Sequence, residues 1–303
     1  MSDCTLLRHA VFITGPTSVG KSEIALALAR KHGGEIVCAD AFQVYREFPV
    51  LSAQPSAAEQ QQVPHHLYGT VPCADEIDAA HYAKTARPVL EDIVARGKTP
   101  FVVGGSGLYL QALISGLPAA PAIDPALRET VRGMTLKEMQ TKLRELDAQS
   151  LLAIDANNPR RVARRLELCL QTGKPASEVL TVLPPAPEGL RGVLITRSRE
   201  DLSARIAHAV AERLARGAVE EVKAVRETAG GTARQILGWR EITAMLDGLI
   251  SRDDCREQLT VATRQYAKRQ LTWFRGKSTL PEENISAVTS DTFDRIALLS
   301  GLS

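Results

Sequence analysis

No apolar run in the 303 residues approaches the roughly 18 needed to cross a bilayer. The start, Met1-Ser2-Asp3-Cys4, has no basic stretch leading into a long apolar one, which argues against a secretory signal. Cysteines are few and unpatterned. Cys4, Cys38, Cys73, Cys169 and Cys255 are odd in number and never spaced Cys-x-x-Cys. A disulfide framework or cysteine-based zinc site is therefore not expected, and a reducing cytoplasm is the simplest compartment. Internal repeats and low-complexity tracts are absent, and the net charge is only +2. The hydrophobic fraction of 44% against 24% charged residues is the ordinary globular balance, so disordered and fibrous classes are excluded. The length suggests two domains or one elaborated domain.

Organisation is legible early. Residues 10–14 form a short β-branched run that ends in Gly15, a glycine-rich turn follows, and residues 22–31 carry alanine and leucine at helical spacing. Glu35-Ile36-Val37-Cys38-Ala39-Asp40 reads as a second strand with a carboxylate at its end, Pro100–Val103 as a third and Gly192–Thr196 as a fourth. Strands alternating with helices predict an α/β fold, a P-loop NTPase-like parallel-sheet core. The proline-rich stretch 117–125 is a linker, residues 126–172 read as helices without a strand, and Pro184, Pro185 and Pro187 close the segment. The parse is a core of residues 1–118 with 189–303, interrupted by an all-helical insertion at 119–188. After residue 200 the chain reads as mostly helical to about 276, and 277–303 carries no usable pattern.

The strongest motif is Gly15-Pro16-Thr17-Ser18-Val19-Gly20-Lys21-Ser22, a phosphate-loop pattern placed after a strand and opening a helix. The glycines let backbone N–H groups converge on phosphate oxygens. The helix N-terminus adds partial positive charge, Lys21 a full one, and Ser22 can ligate Mg²⁺. A bound di- or triphosphate with Mg²⁺ is expected. Such a loop usually means ATP or GTP, but the third strand ends in Gly104-Gly105 where a motor ATPase has a metal-holding Asp, and GTPase switch and base-reading motifs are not visible. Small phosphate-handling enzymes with an early Asp as base remain. Asp40 fits that role, because ligands of open α/β sheets bind at the carboxyl ends of the strands.

Two basic segments hide beneath the neutral average. Residues 157–174 total +4 through Arg160, Arg161, Arg164, Arg165 and Lys174 against Glu167, with Arg160/Arg164 and Arg161/Arg165 at i, i+4. Residues 262–277 total +5 through Arg264, Lys268, Arg269, Arg275 and Lys277. The rest of the chain therefore totals −7, a distribution that fits a polyanion partner. Tyr266, Trp273 and Phe274 interleave the second patch and are read as core rather than as base-stacking groups. His65-His66, after Pro64, reads as a turn with no metal role.

In order, these segments resemble the tRNA dimethylallyltransferases (isopentenyltransferases). The likeness runs from the phosphate loop through Asp40-Ala41-Phe42-Gln43-Val44-Tyr45-Arg46, Pro64-His65-His66-Leu67 and Gly104-Gly105-Ser106-Gly107-Leu108-Tyr109. It continues with Asp124-Pro125-Ala126-Leu127-Arg128, Asn158-Pro159-Arg160-Arg161-Val162-Ala163-Arg164-Arg165-Leu166-Glu167, Gly238-Trp239-Arg240-Glu241 and residues 263–273. It spans residues 10 to about 276, and only the phosphate loop is common to many enzymes.

The resemblance implies transfer of the dimethylallyl group from dimethylallyl diphosphate to N6 of the adenosine at tRNA position 37, with no ATP consumed. Asp40 would be the general base, with Ser106 and Lys21 catalytic beside it. The donor diphosphate would lie on Gly15, Pro16, Thr17, Ser18, Val19, Gly20, Lys21 and Ser22, with Mg²⁺ on Ser22. The tRNA, through its anticodon stem-loop, would meet Asp40, Ala41, Phe42, Gln43, Ser106, Arg128, Arg160, Arg161, Val162, Ala163, Arg164, Arg240, Arg264, Lys268 and Arg275. The helical insertion would contact the tRNA, no membrane is involved, and a monomer is the default. Four positions depart from the family pattern: Ala41 for Ser, Ser106 for Thr, Gln54 for Lys, and Ala209 for an arginine expected at the diphosphate. Arg213, one helical turn on, is the expected substitute for the last. Two other readings stay open on the residues alone: a small-molecule kinase, which explains the first 110 residues but not the basic segments, and an RNA-binding protein with a degraded phosphate site.

Overall fold

The apolar β-branched runs assemble into one parallel sheet. In the computed structural model, which describes residues 3–181, 183–286 and 291–302, α1 (Asp3–His9) leads into β1 (Val11–Thr14). Then come α2 (Lys21–Lys31), β2 (Glu35–Cys38), α3 (Ala57–Gln62), β3 (His65–His66), α4 (Ala79–Ala95), β4 (Pro100–Gly104) and α5 (Gly107–Ile114). Four helices follow: α6 (Pro125–Arg132), α7 (Leu136–Ala153), α8 (Pro159–Thr172) and α9 (Ala176–Val179). The chain returns through β5 (Arg191–Thr196), α10 (Arg199–Ala215), α11 (Ala218–Val225), α12 (Trp239–Leu246), α13 (Arg252–Lys277), β6 (Glu282–Asn284) and α14 (Thr292–Leu299). Two compact units result, Met1–Ser115 with Ala186–Ser303, and Gly116–Pro185.

In the first unit the strand order is β3-β2-β4-β1-β5-β6, every neighbouring pair parallel. All residues of β1, β2 and β4 are buried, as a sheet covered on both faces requires, which is why these strands read as apolar runs, with Glu35 at the start of β2 the charged exception. Ile13, Ile36, Phe101, Val103 and Val193 form the core on one face with Leu28 of α2 and Ile296 of α14. β1 connects toward one side of the sheet and its neighbour β4 toward the other, and at the carboxyl ends of such a pair a ligand crevice opens.

Two local readings need correction. His65-His66 is a short edge strand rather than a turn, because its backbone pairs in parallel with Ile36 and Val37 of β2; His66 Nε2 also lies 2.7 Å from the buried Glu35 carboxylate. Hydrogen bonds from Arg96 above all, and from His66, outweigh burial and hold that carboxyl down to about 2. The stretch 277–303, patternless in sequence, supplies β6 and α14. An edge strand of Glu282-Glu283-Asn284 has one side open to solvent and needs no apolar run; its place beside β5 comes from backbone pairing.

The second unit is all-helical and has its own core of Val131, Leu143, Val162, Leu166 and Leu168. Its helices start where their caps dictate. Asp124 accepts from the Ala126 and Leu127 N–H groups, Thr135 and Glu138 form a reciprocal capping box, and Asn158 accepts from Arg160 and Arg161. α7 breaks at Asp147, whose carboxylate accepts from Ser150 N–H (2.9 Å) and Ser177 N–H (2.8 Å). Burial raises that carboxyl, but these bonds prevail and hold it below its usual value. Among the described residues, no helix is long and apolar enough to cross a membrane.

Candidate active site

The glycine-rich turn after β1 is built for close backbone approach. Gly15 has φ 145°, and a Cβ there would sit 2.4 Å from the Ile195 carbonyl oxygen. Ser18 occupies the left-handed region at φ 62°, a strained place for a side-chain-bearing residue, and its buried hydroxyl has no partner among the described residues. Arg197 Nε donates to Val19 O (2.7 Å) and Arg205 Nε to Ser18 O (3.1 Å), so two arginines from just before and within α10 hold the loop. Lys21 Nζ donates to Pro16 O at 2.7 Å.

Burial lowers the Lys21 ammonium to about 8, with Asp40 opposing the shift. A bound phosphate favours the charged form, so anion binding takes up a proton wherever the free lysine is neutral, that is, above about pH 8. Affinity for inorganic pyrophosphate should hold steady just below pH 8 and fall above it, by up to about tenfold per pH unit. Calorimetric titration in two buffers of different ionisation enthalpy reads both the affinity and the proton uptake. An affinity that stayed flat to pH 9.5 would remove Lys21 from the anion site.

Asp40 stands two residues beyond β2, half-exposed, with Oδ1 accepting from Phe42 N–H at 3.0 Å. Ser106, buried at the N-cap of α5, accepts from Ala41 N–H at 2.8 Å and donates its own N–H to Ala39 O at 3.3 Å. The carboxylate and the hydroxyl are thus joined through one short piece of backbone. Lys21 and Arg213 both lie within electrostatic reach of Asp40, and burial lowers the Arg213 guanidinium while Asp40 opposes it. Ala209, one turn earlier on α10, is half-buried. The loop, the carboxylate, the hydroxyl and Arg213 therefore meet at the carboxyl ends of β1, β2 and β4.

Sequence reasoning missed two groups here, both on α13. Of the three aromatics that the sequence assigns to the core, Phe274 is buried there, whereas the half-buried Tyr266 ring lies 6.1 Å from Phe42. The Tyr266 hydroxyl reaches Ser106 and Gln270, and burial, with Asp40 adding to it, pushes that hydroxyl above its ordinary pKa. Trp273 packs over Gly107, where a Cβ would lie 2.3 Å from its ring. Gln270 is the second group, buried between two loops. The only available signal was the i, i+4, i+7 spacing of Tyr266, Gln270 and Trp273, which places them on one helix face.

Among the RNA candidates, Arg160 and Arg161 are exposed in the first turn of α8, and Ala163 is half-buried. Val162 is fully buried in the helical core. Its side chain is withdrawn from RNA contact, a correction that follows from its full burial in the apolar cluster that includes Val131 and Leu143. The buried Glu167 gathers Arg128 (3.9 Å) and Arg164 (3.8 Å). In the first unit, Arg264, Lys268 and Arg275 of α13 join Arg197 and Arg199 around a cleft of about 650 Å³ floored by apolar side chains. Arg275 also pairs with Glu282, and the exposed Arg240 with buried Glu241. The Gln43 amide donates to Ser52 O and Ala53 O, and Gln54 donates to Tyr45 O.

Among the described residues no three His, Cys, Asp or Glu side chains converge to hold a metal. Ser22 does offer an exposed hydroxyl in the first turn of α2. One hard oxygen suits Mg²⁺, which keeps most of its shell from phosphates and water.

A family model described as IPP transferase matches residues 43–277. A tRNA dimethylallyltransferase of Akkermansia muciniphila is 42% identical over 88% of this chain and 90% of its own length. One from a Bradyrhizobium strain is 40% identical over 91% and 93%. Among solved structures, the tRNA isopentenylpyrophosphate transferase of Bacillus halodurans superposes with a TM-score of 0.72 at 30% identity, covering 97% of this chain and 96% of that one. A eukaryotic dimethylallyltransferase solved acting on tRNA superposes with a TM-score of 0.78 at 26% identity, over 97% of this chain and 77% of that one.

Proposed function

This chain belongs to the IPP transferase family, an enzyme family of tRNA dimethylallyltransferases, and from that premise we propose that it prenylates N6 of the adenosine at tRNA position 37. The observation that carries the reading is the approach of Asp40 to Lys21 of the phosphate loop at the carboxyl ends of β2 and β1, the two strands that flank β4. In the reaction, the N6 lone pair attacks C1 of dimethylallyl diphosphate, the C1–O bond breaks, and its electrons leave with diphosphate. The N6 proton passes to the Asp40 carboxylate. An adenine amine is a weak nucleophile because its lone pair is delocalised, so a carboxylate that takes the proton as the bond forms is well matched to the step.

Lys21, the loop amides and Arg213 oppose the charge that builds on the leaving diphosphate. Arg213 here supplies the cation that Ala209 does not. Mg²⁺ would be held by Ser22 together with the diphosphate, and when bound it supplies further charge neutralisation there. Ser106 and Tyr266 border the place of the incoming base, which must leave the anticodon-loop stack to reach Asp40. Arg128, Arg160, Arg161 and Arg164 of the helical unit, and Arg264 and Lys268 of α13, would hold phosphates of the RNA.

The test is direct. Purified protein, Mg²⁺, labelled dimethylallyl diphosphate and unmodified tRNA, without ATP, should yield labelled tRNA, with the label on the adenosine at position 37 after nuclease digestion. Folded protein that binds tRNA yet transfers no label would refute the reading.

A further inference from the structure

Gln270 is a buried amide, 6% exposed, with both ends committed to loops distant in sequence. Its Oε1 accepts from Thr17 N–H at 2.8 Å, inside the phosphate loop, and its Nε2 donates to Gly105 O at 2.9 Å, next to Ser106. A Cβ at Gly105 would lie 2.3 Å from Nε2, so the missing side chain is what lets the amide reach that carbonyl. A buried carboxamide is unfavourable unless both ends are hydrogen-bonded, and an apolar side chain would fill the same space without that condition. The geometry therefore selects an amide for what it joins. One loop would hold the leaving group, and the other carries the hydroxyl beside Asp40.

We propose that Gln270 is a positioning residue that couples the phosphate loop to the Gly105-Ser106 loop, so that filling the first orders the second for reaction. The proposal rests on the transfer reading above for its catalytic consequence, but the coupling itself is measurable without transfer. A shift of about 1 Å between reacting partners lowers a rate on the order of 100-fold, which is the loss expected if the bridge sets that spacing.

Gln270→Met keeps the volume and removes the bonds to Thr17 and Gly105 along with the one to the Tyr266 hydroxyl. The exchange pattern of the two loops, and not the rate alone, therefore reads the bridge. In the native protein, inorganic pyrophosphate should slow amide hydrogen exchange both in a peptide spanning 11–24 and in one spanning 101–110. In the variant it should slow only the first. Pyrophosphate and tRNA affinities, measured separately, should stay within about threefold, while single-turnover transfer falls roughly 100-fold. Equal protection of 101–110 in both proteins, or no protection there in the native one, overturns the proposal, as does a variant rate near native. A parallel loss of pyrophosphate affinity would also overturn it, making Gln270 part of the anion site. If native protein transfers no label while the exchange pattern holds, the transfer reading fails and the bridge stands. Should Gln270→Met not fold, Gln270→Asn keeps an amide one methylene too short to span both loops, and the same outcomes apply.

Discussion

Replacing Asp40 with Asn is expected to slow prenyl transfer by about 10²–10⁴-fold while leaving tRNA affinity within a few-fold of native. The choice of Asn matters. Asp40 Oδ1 accepts from Phe42 N–H, a bond that shapes the turn after β2, and an Asn carbonyl accepts it equally well. The local backbone is thereby kept, and what is lost is a group that can take a proton. An amide has no useful basicity near neutrality, so the loss isolates general-base catalysis from architecture. The variant also removes the negative charge that opposes the lowering of the Lys21 pKa. Its pyrophosphate affinity should therefore begin to fall at a lower pH than in the native protein, a second signature from the same measurement. Native-like single-turnover rates in the Asn variant would remove Asp40 from the chemistry.

Converting Arg160, Arg161 and Arg164 together to Gln should weaken tRNA binding on the order of 100-fold at about 0.15 M salt, and lower the salt slope of log affinity by about 2–3. All three are exposed on α8, and two stand in its first turn, where the helix end is itself partially positive. Cations placed against that dipole are unfavourable for the isolated helix, and a phosphate strand is the partner that would turn the arrangement to advantage. The variant should stay folded while losing RNA, with a modest loss of stability because Arg164 also pairs with the buried Glu167, which keeps Arg128. Fluorescence anisotropy over a salt series measures the slope, and thermal unfolding measures the stability. An unchanged slope would place the RNA elsewhere.

The parts of this protein that were readable in advance are those in which chemistry and fold are contiguous. The phosphate loop joins a strand to a helix within a dozen residues, so Gly15 to Ser22 announces its shape and the kind of ligand proposed for it. β1, β2, β4 and β5 are buried on both faces and appear as apolar runs. The helical insertion is marked by prolines at each end, and its caps at Asp124, Thr135 and Asn158 are local.

What the sequence alone determined, then, was the loop, the parallel core, the helical unit and the carboxylate after β2, because each depends on neighbours within a few residues. Only the tertiary structure decided the rest. Val162 lies between two candidate RNA-contacting arginines yet turns inward, since a helix presents adjacent residues to different faces. β6 pairs through its backbone, which leaves no trace in side-chain hydrophobicity. Arg213 comes to Asp40, Tyr266 to Ser106, and Gln270 to Thr17 and Gly105 across separations as long as 253 residues. Contacts of that range are set by how α10 and α13 pack against the sheet, and no local pattern encodes them.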